Sequence, residues 1–304
     1  MTQGVTYESL PYAIRTVLHD QIGAYIERRY ADSLTQYLPL LAITTTWPTT
    51  KPKRTYLRMA GEAAQADYAN EAAIDYYRRV LPLLTTEEQI GVLLNLGDVL
   101  QLVGKWQEAG VLFTEALEKA VEIGDQERQG WSCVAMGELQ RKHGQYAEAV
   151  QWLDRGRAIF EELDDPAGVG QVLHYVGTLC AQQGDYPSAL QNYTESLEIR
   201  RTLDDKRNIS SLLSNMGIVA RFQGEYGRAR ALHEEALVIR RELGNKWAIA
   251  NSLNNLGKCG ARPGGLRNAR RQPGRGGYAT TSSRRPLGDR KFAQQPGQRR
   301  AHPG

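Results

Sequence analysis

The sequence predicts an all-α solenoid of stacked antiparallel helix pairs, and three observations carry that prediction. Gly97, Gly137, Gly177, Gly217 and Gly257 stand forty residues apart without a slip. The stretches around them (LLNLGDVLQLVG, CVAMGELQRKHG, LHYVGTLCAQQG, LLSNMGIVARFQG) are apolar with helical patterning. After each of the first four comes the same set at fixed offsets: a second glycine (Gly104, Gly144, Gly184, Gly224), an aromatic (Trp106, Tyr146, Tyr186, Tyr226) and an alanine (Ala109, Ala149, Ala189, Ala229). One period running along most of a chain means stacked copies of a single unit rather than one unique core. Such stacks bind through extended surfaces.

Each position in the unit has a physical reading. Glycine within a helix costs about 1 kcal/mol against alanine, so its recurrence at one phase marks a helix crossing too close for a Cβ. The second glycine suits a left-handed residue that ends the first helix. The aromatic opens the second helix and covers the turn, and the alanine is read as the small partner across the crossing. Polar turns such as Gly124-Asp125, Asp164-Asp165 and Gly244-Asn245 supply the loop and N-cap of the next copy. In the first full copy the helices are expected at about 87–103 and 106–122.

This set of positions resembles the tetratricopeptide repeat, in the longer-helix form with forty-residue spacing found in bacterial signalling proteins and eukaryotic scaffold proteins. The resemblance implies a right-handed superhelix whose first helices line the concave side. Four full repeats and the first helix of a fifth are expected over 87–257.

The N-terminal part is helical in pattern but off the period. Residues 49–86 read as a shorter, degenerate repeat containing Gly61 and the pair Ala72-Ala73. Residues 1–48 hold an amphipathic stretch, VTYESLPYAIRTVLHDQIGAYIERRY. With YANEAAIDYYRRVLPLL it resembles the junction between a winged-helix element and the repeat array of bacterial multidomain proteins that carry a nucleotide cyclase and a STAND-type ATPase. No GxxxxGK[ST] phosphate loop and no cyclase-like set of metal-binding aspartates occurs in the sequence. The chain is therefore expected to be a fragment of such a protein, with Met1 an internal start.

Charge divides the chain. The formal net charge is +4, yet residues 258–304 hold 12 of the 38 Lys and Arg and one acidic residue, Asp289. Residues 1–257 then carry 26 basic and 33 acidic residues, a net of −7. The Gly/Pro/Arg-rich composition of 258–304 predicts disorder. One reading makes this tail a binder of RNA or acidic surfaces, with Tyr278 and Phe292 as its aromatics. The other makes it repeat sequence read out of frame. One nucleotide later, with suitable codons, KCGARPGGLRN (258–268) can become NVALDQGDYAT, and residues 283–303 can become LGDRWAIANSLNNLGNVALTQ, with a glycine at 297. Residues 269–282 do not decode in this way.

Catalytic chemistry finds no footing. Cys133, Cys180 and Cys259 form no CxxC pair, and the five histidines show no metal spacing. No nucleophile stands at a recognisable spacing from a base, and Glu161-Glu162 and Asp164-Asp165 read as solvated helix ends. No cofactor, metal or small-molecule substrate is expected. Unpaired cysteines and the lack of a signal peptide or membrane-length apolar run point to the cytoplasm.

The tetratricopeptide resemblance implies a partner groove at Trp131, Val134 and Glu138; Gln171, His174, Tyr175 and Thr178; Ser211, Ser214 and Asn215; and Asn251, Asn254 and Asn255. Residues three, four or seven apart share one helix face. Amides both donate and accept, so this stripe can hydrogen-bond an extended peptide. The alternative is a polar face with no ligand. The Lys/Arg–Asn clamp of chaperone-binding relatives is not reproduced. The function read from all this is a non-catalytic module that binds a peptide or protein in bacterial signal transduction. The alternatives are a remnant of a cyclase or signalling ATPase, or nucleic-acid binding through the tail. An open end at the fifth first helix is expected to favour self-association.

Overall fold

In the computed structural model the described residues are 12–44 and 51–260, which fall within one compact unit. The YESL segment and residues 261–304 lie outside them. Thirteen α-helices and no strand occur among the described residues. Helices α1 (Tyr12–Arg29) and α2 (Leu38–Thr44) precede α3 (Lys51–Ala66) and α4 (Asn70–Val80). The periodic part comprises α5 (Thr86–Leu102), α6 (Trp106–Glu122), α7 (Gln126–Lys142), α8 (Tyr146–Glu162), α9 (Pro166–Gln183), α10 (Tyr186–Thr202), α11 (Lys206–Phe222), α12 (Tyr226–Glu242) and α13 (Lys246–Gly260).

The forty-residue period reappears in every local device. Trp106, Tyr146, Tyr186 and Tyr226 are the first residues of the second helices. Gly104, Gly144, Gly184 and Gly224 have φ between +79° and +84°, the left-handed region that glycine enters without a Cβ penalty. First helices are capped at one phase: Asp125, Asp165 and Asp205 accept from backbone N–H groups at 2.9, 2.8 and 3.1 Å, and Asn245 at 3.0 Å. Thr85 closes a reciprocal capping box with Glu88. Each such cap stabilises its helix by about 1 kcal/mol.

The glycine ladder is a set of sockets. A Cβ at Gly97 would overlap Phe113; at Gly137 it would meet Leu153 at 2.8 Å, at Gly177 Tyr193 at 2.8 Å, and at Gly217 His233 at 2.8 Å. Each plug sits sixteen residues after its socket, on the second helix. The alanine role expected from sequence therefore shifts. Ala109, Ala149, Ala189 and Ala229 are fully buried one turn before the plug. The backbone carbonyls of Ala149 and Ala189 would lie 3.3 and 3.1 Å from the added Cβ atoms of Gly137 and Gly177. The alanines thus bring the second helix close enough for the plug to reach. The α3–α4 pair obeys the same rule: a Cβ at Gly61 would meet the Tyr77 ring at 2.6 Å, and Ala73 is fully buried.

First helices of successive pairs touch one another more extensively than second helices do, so the first helices form the inner side of the curve. The curve brings the turn after α3 against α13, where Tyr68 and Trp247 approach to 5.7 Å between ring centroids. Tyr68 itself has φ +58°, in the turn where the later repeats use glycine.

Candidate partner-binding surface

The expected groove residues do not all face the same way. Ser214, Asn255, Glu138 and Val134 are buried, and Asn254 is exposed. Trp131 is half-buried and packs edge-on against Phe160 at 5.0 Å, beside Val134, Leu153 and Val172 in a local core. Ser211 bonds back to the Arg207 carbonyl at 3.2 Å, and Asn251 accepts from the Asn255 amide at 3.1 Å. Thr178 donates to the His174 carbonyl at 2.9 Å and accepts from the Tyr193 hydroxyl at 3.1 Å.

The residues brought together lie on α5, α7, α9 and α11. Lys142 reaches the Gln101 side-chain oxygen at 3.0 Å and Glu138 at 3.2 Å. Glu138 receives both Nε and an Nη of Arg141, at 2.7 and 2.8 Å, with both residues buried. On the next first helix Gln171 accepts from Arg200 at 3.0 Å. His174 Nε2 lies 2.9 Å from the Asn215 amide nitrogen, while its Nδ1 is buried without a hydrogen-bond partner among the described residues. With Nε2 as the acceptor of the Asn215 N–H, the proton sits on Nδ1, a donor left unsatisfied.

Electrostatics follow from this crowding. Burial is the main cause that takes the His174 imidazole down to about 4, so it is neutral at physiological pH. Burial, with Glu138 and Asp98 nearby, raises the Tyr175 phenol well above its ordinary range, and its hydroxyl hydrogen-bonds with Gln171. Asp98 is reached by water yet hemmed in by protein. That environment raises its carboxyl to about 6, with Lys142 opposing and Glu138 adding. Asp98, Gln101, Arg141 and Lys142 take part in these polar interactions around Glu138 but were absent from the expected groove. Asp98 could have been found, because it stands one period before Glu138 and two before Thr178.

Next to the His174–Asn215 pair is a cavity of about 380 Å³ lined by Thr178, Tyr186, Asn215, Ile218 and Phe222 among others. Tyr186 and Phe222 are stacked, 6.1 Å between centroids and 7° between planes, and the Arg221 guanidinium lies 4.5 Å from the Phe222 ring centre. Phe222 is 58% exposed, an apolar ring held open to solvent. Among the described residues no group of three or more His, Cys, Asp or Glu could hold a metal ion. None of their helices is long and apolar enough to cross a membrane.

Stacked helix pairs with a polar, partly apolar inner face define a repeat scaffold of the kind that engages other proteins. The family follows from the sequence match: a model described as tetratricopeptide repeat fits residues 88–162, 144–202, 164–242 and 208–272, and the chain belongs to that family. No curated protein matches the sequence.

Solved structures share the fold. The apo form of RapI is 14% identical, covers 82% of this chain and 97% of its own, and superposes with a TM-score of 0.54. A Rap protein complexed with Competence and Sporulation Factor is 14% identical over 83% of this chain and 76% of its own, with a TM-score of 0.53. The STAND protein PH0952 from Pyrococcus horikoshii, which has a tetratricopeptide repeat sensor, is 13% identical. The match covers 81% of this chain and 38% of that protein, at a TM-score of 0.53.

Proposed function

We propose that the chain is a non-catalytic adaptor or sensor module that binds a peptide segment of a partner along its inner face, within bacterial signal transduction. The observation that carries this reading is the His174–Asn215 pair beside the Tyr186–Phe222 cavity. An amide able to pair with a peptide backbone stands next to a slot sized for one apolar side chain. That combination of orienting polar groups and an apolar pocket is what a peptide ligand requires. The Rap complex with Competence and Sporulation Factor supports a bound ligand on this fold, and the sensor array of PH0952 supports a signalling context. Three free cysteines fit a reducing, cytoplasmic setting.

Selection from a random linear-peptide library tests the reading. Selected peptides should lose at least about tenfold in affinity on Asn215→Ala and on Phe222→Ala. They should be unaffected by Val150→Ser on the second helix α8. Selected binders that ignore both inner-face substitutions, or a failure to select any, would overturn it.

A further inference from the structure

Arg200 and Arg240 occupy the same position one repeat apart, on α10 and α12. Both are buried, with 5% and 7% of their surface exposed. Arg200 has a carboxylate: its Nη1 lies 3.1 Å from Asp205. Arg240 has none among the described residues. Its guanidinium donates only to neutral acceptors: Ser252 Oγ at 2.7 Å, the Ala248 carbonyl at 3.2 Å, and Ser210 Oγ and carbonyl at 3.4 and 3.3 Å. The reason is one substitution within the repeat, since Asn245 stands where Asp205 stands in the preceding copy. A buried cation stripped of its counter-charge is costly unless something external supplies that charge.

Arg240 forms part of the wall of a cleft of about 550 Å³, with Arg207, Ser211, Trp247, Tyr68 and Gln65 among its lining. Arg207 is exposed and has no carboxylate partner among the described residues. Trp247 and Tyr68, 60% and 50% exposed, form an aromatic rim where the first and last described repeats meet. Glu62 also lines the cleft. Glu62 pairs with Arg58 at 3.7 Å, so Arg240 and Arg207 are two cations against one carboxylate in the lining, an excess that suits one incoming carboxylate rather than a dense polyanion such as nucleic acid.

We infer that this cleft is a second binding site, which receives an aspartate or glutamate side chain of an acidic peptide segment on Arg240 and Arg207. Arg240 would complete with the incoming carboxylate the ion pair that Arg200 makes internally with Asp205. The Gln65 and Asn245 amides are placed to hydrogen-bond the flanking peptide backbone. Burial lowers the Arg240 pKa from its ordinary value, and no acidic group opposes it. The site does not depend on the inner-face reading, because neither His174 nor Asn215 lines it.

Thermal unfolding at constant ionic strength tests it, with hexaglutamate, hexalysine and inorganic phosphate as probes. Hexaglutamate at tenfold over its dissociation constant should raise the midpoint by about 3 °C or more, and hexalysine should not. Asn245→Asp keeps the N-cap and installs the missing counter-charge. It should raise the midpoint of the free protein and abolish the hexaglutamate shift, and Arg207→Ala should weaken that shift. Asn215→Ala should leave it intact, which separates this site from the inner face. The proposal fails if hexaglutamate gives no shift, if Asn245→Asp responds as fully as the parent, or if phosphate shifts the midpoint and hexaglutamate does not.

Discussion

Tyr193 lies over Gly177 so closely that a Cβ there would meet two ring carbons at 2.8 Å and the Ala189 carbonyl at 3.1 Å. The ring could swing aside, but the backbone carbonyl belongs to a helix locked against its partner.

Gly177→Ala should therefore destabilise the protein by about 1–3 kcal/mol through overpacking, despite alanine's better helix propensity. Gly257→Ala is the internal control. Beyond its chain neighbours and its own helix backbone, no described residue lies within 4 Å of its Cβ position, so the propensity gain of up to about 1 kcal/mol should show as stabilisation. Urea unfolding of the two variants measures both signs, and equal destabilisation would refute the socket account.

His233 is fully buried as the plug of Gly217, with neither ring nitrogen hydrogen-bonded among the described residues. Burial, with Arg240 adding, takes its pKa down to about 4. A histidine with a depressed folded pKa releases its proton on folding. Its stability contribution is full above the unfolded pKa of about 6.5 and is lost as pH falls towards about 4. His174 contributes in the same direction. Asp98, raised to about 6, works in the opposite sense, because its folded form holds a proton that the unfolded form has released. Two histidines against one water-exposed carboxyl leave a net loss of stability in acid.

His233→Phe places the side chain of Phe113 in an equivalent socket. It should stabilise the protein at pH 7 by about 1–2 kcal/mol, the cost of an unsatisfied buried polar group. It should also flatten the acid limb of the stability curve between pH 6.5 and 4. An unchanged acid limb, followed by circular dichroism, would contradict the assignment.

Glu138 and Arg141 form a buried, two-point ion pair. Glu138→Ala should cost about 3 kcal/mol, because it strands a buried guanidinium, whereas the double replacement Glu138→Leu with Arg141→Met should cost much less. A double-mutant cycle with no coupling would show the pair to be structurally idle.

The glycine ladder was legible because the same packing problem recurs in each copy, and only one residue type solves it. The caps at Asp125, Asp165 and Asn245 were legible because a short side chain with an acceptor oxygen recurs at one phase, and the left-handed turn at Gly184 because glycine does. The plugs were not legible. Phe113, Leu153, Tyr193 and His233 differ in polarity, and what they share is the reach to fill a hole whose existence only the second helix's approach defines. Which first-helix residues share a register was legible, and His174 and Asn215 meet across it, but the packing of a half-buried Trp131 against Phe160 and the burial of Ser214 depend on how each helix is rolled about its axis. That roll is set by contacts with the neighbouring pair, not by the helix's own residues.

By itself the sequence determined the unit: two helices, their ends, their period and the points where they must come close. These are local or repeating constraints, written in propensity, φ-angle requirements and side-chain volume. The tertiary structure alone decided which polar groups of different repeats meet. The pairing of His174 with Asn215, of Lys142 with Gln101, and of Tyr68 with Trp247 depends on the accumulated curvature of the stack. Small rotations at each helix contact add up over the array, so residues distant in sequence become neighbours only once every pair has packed.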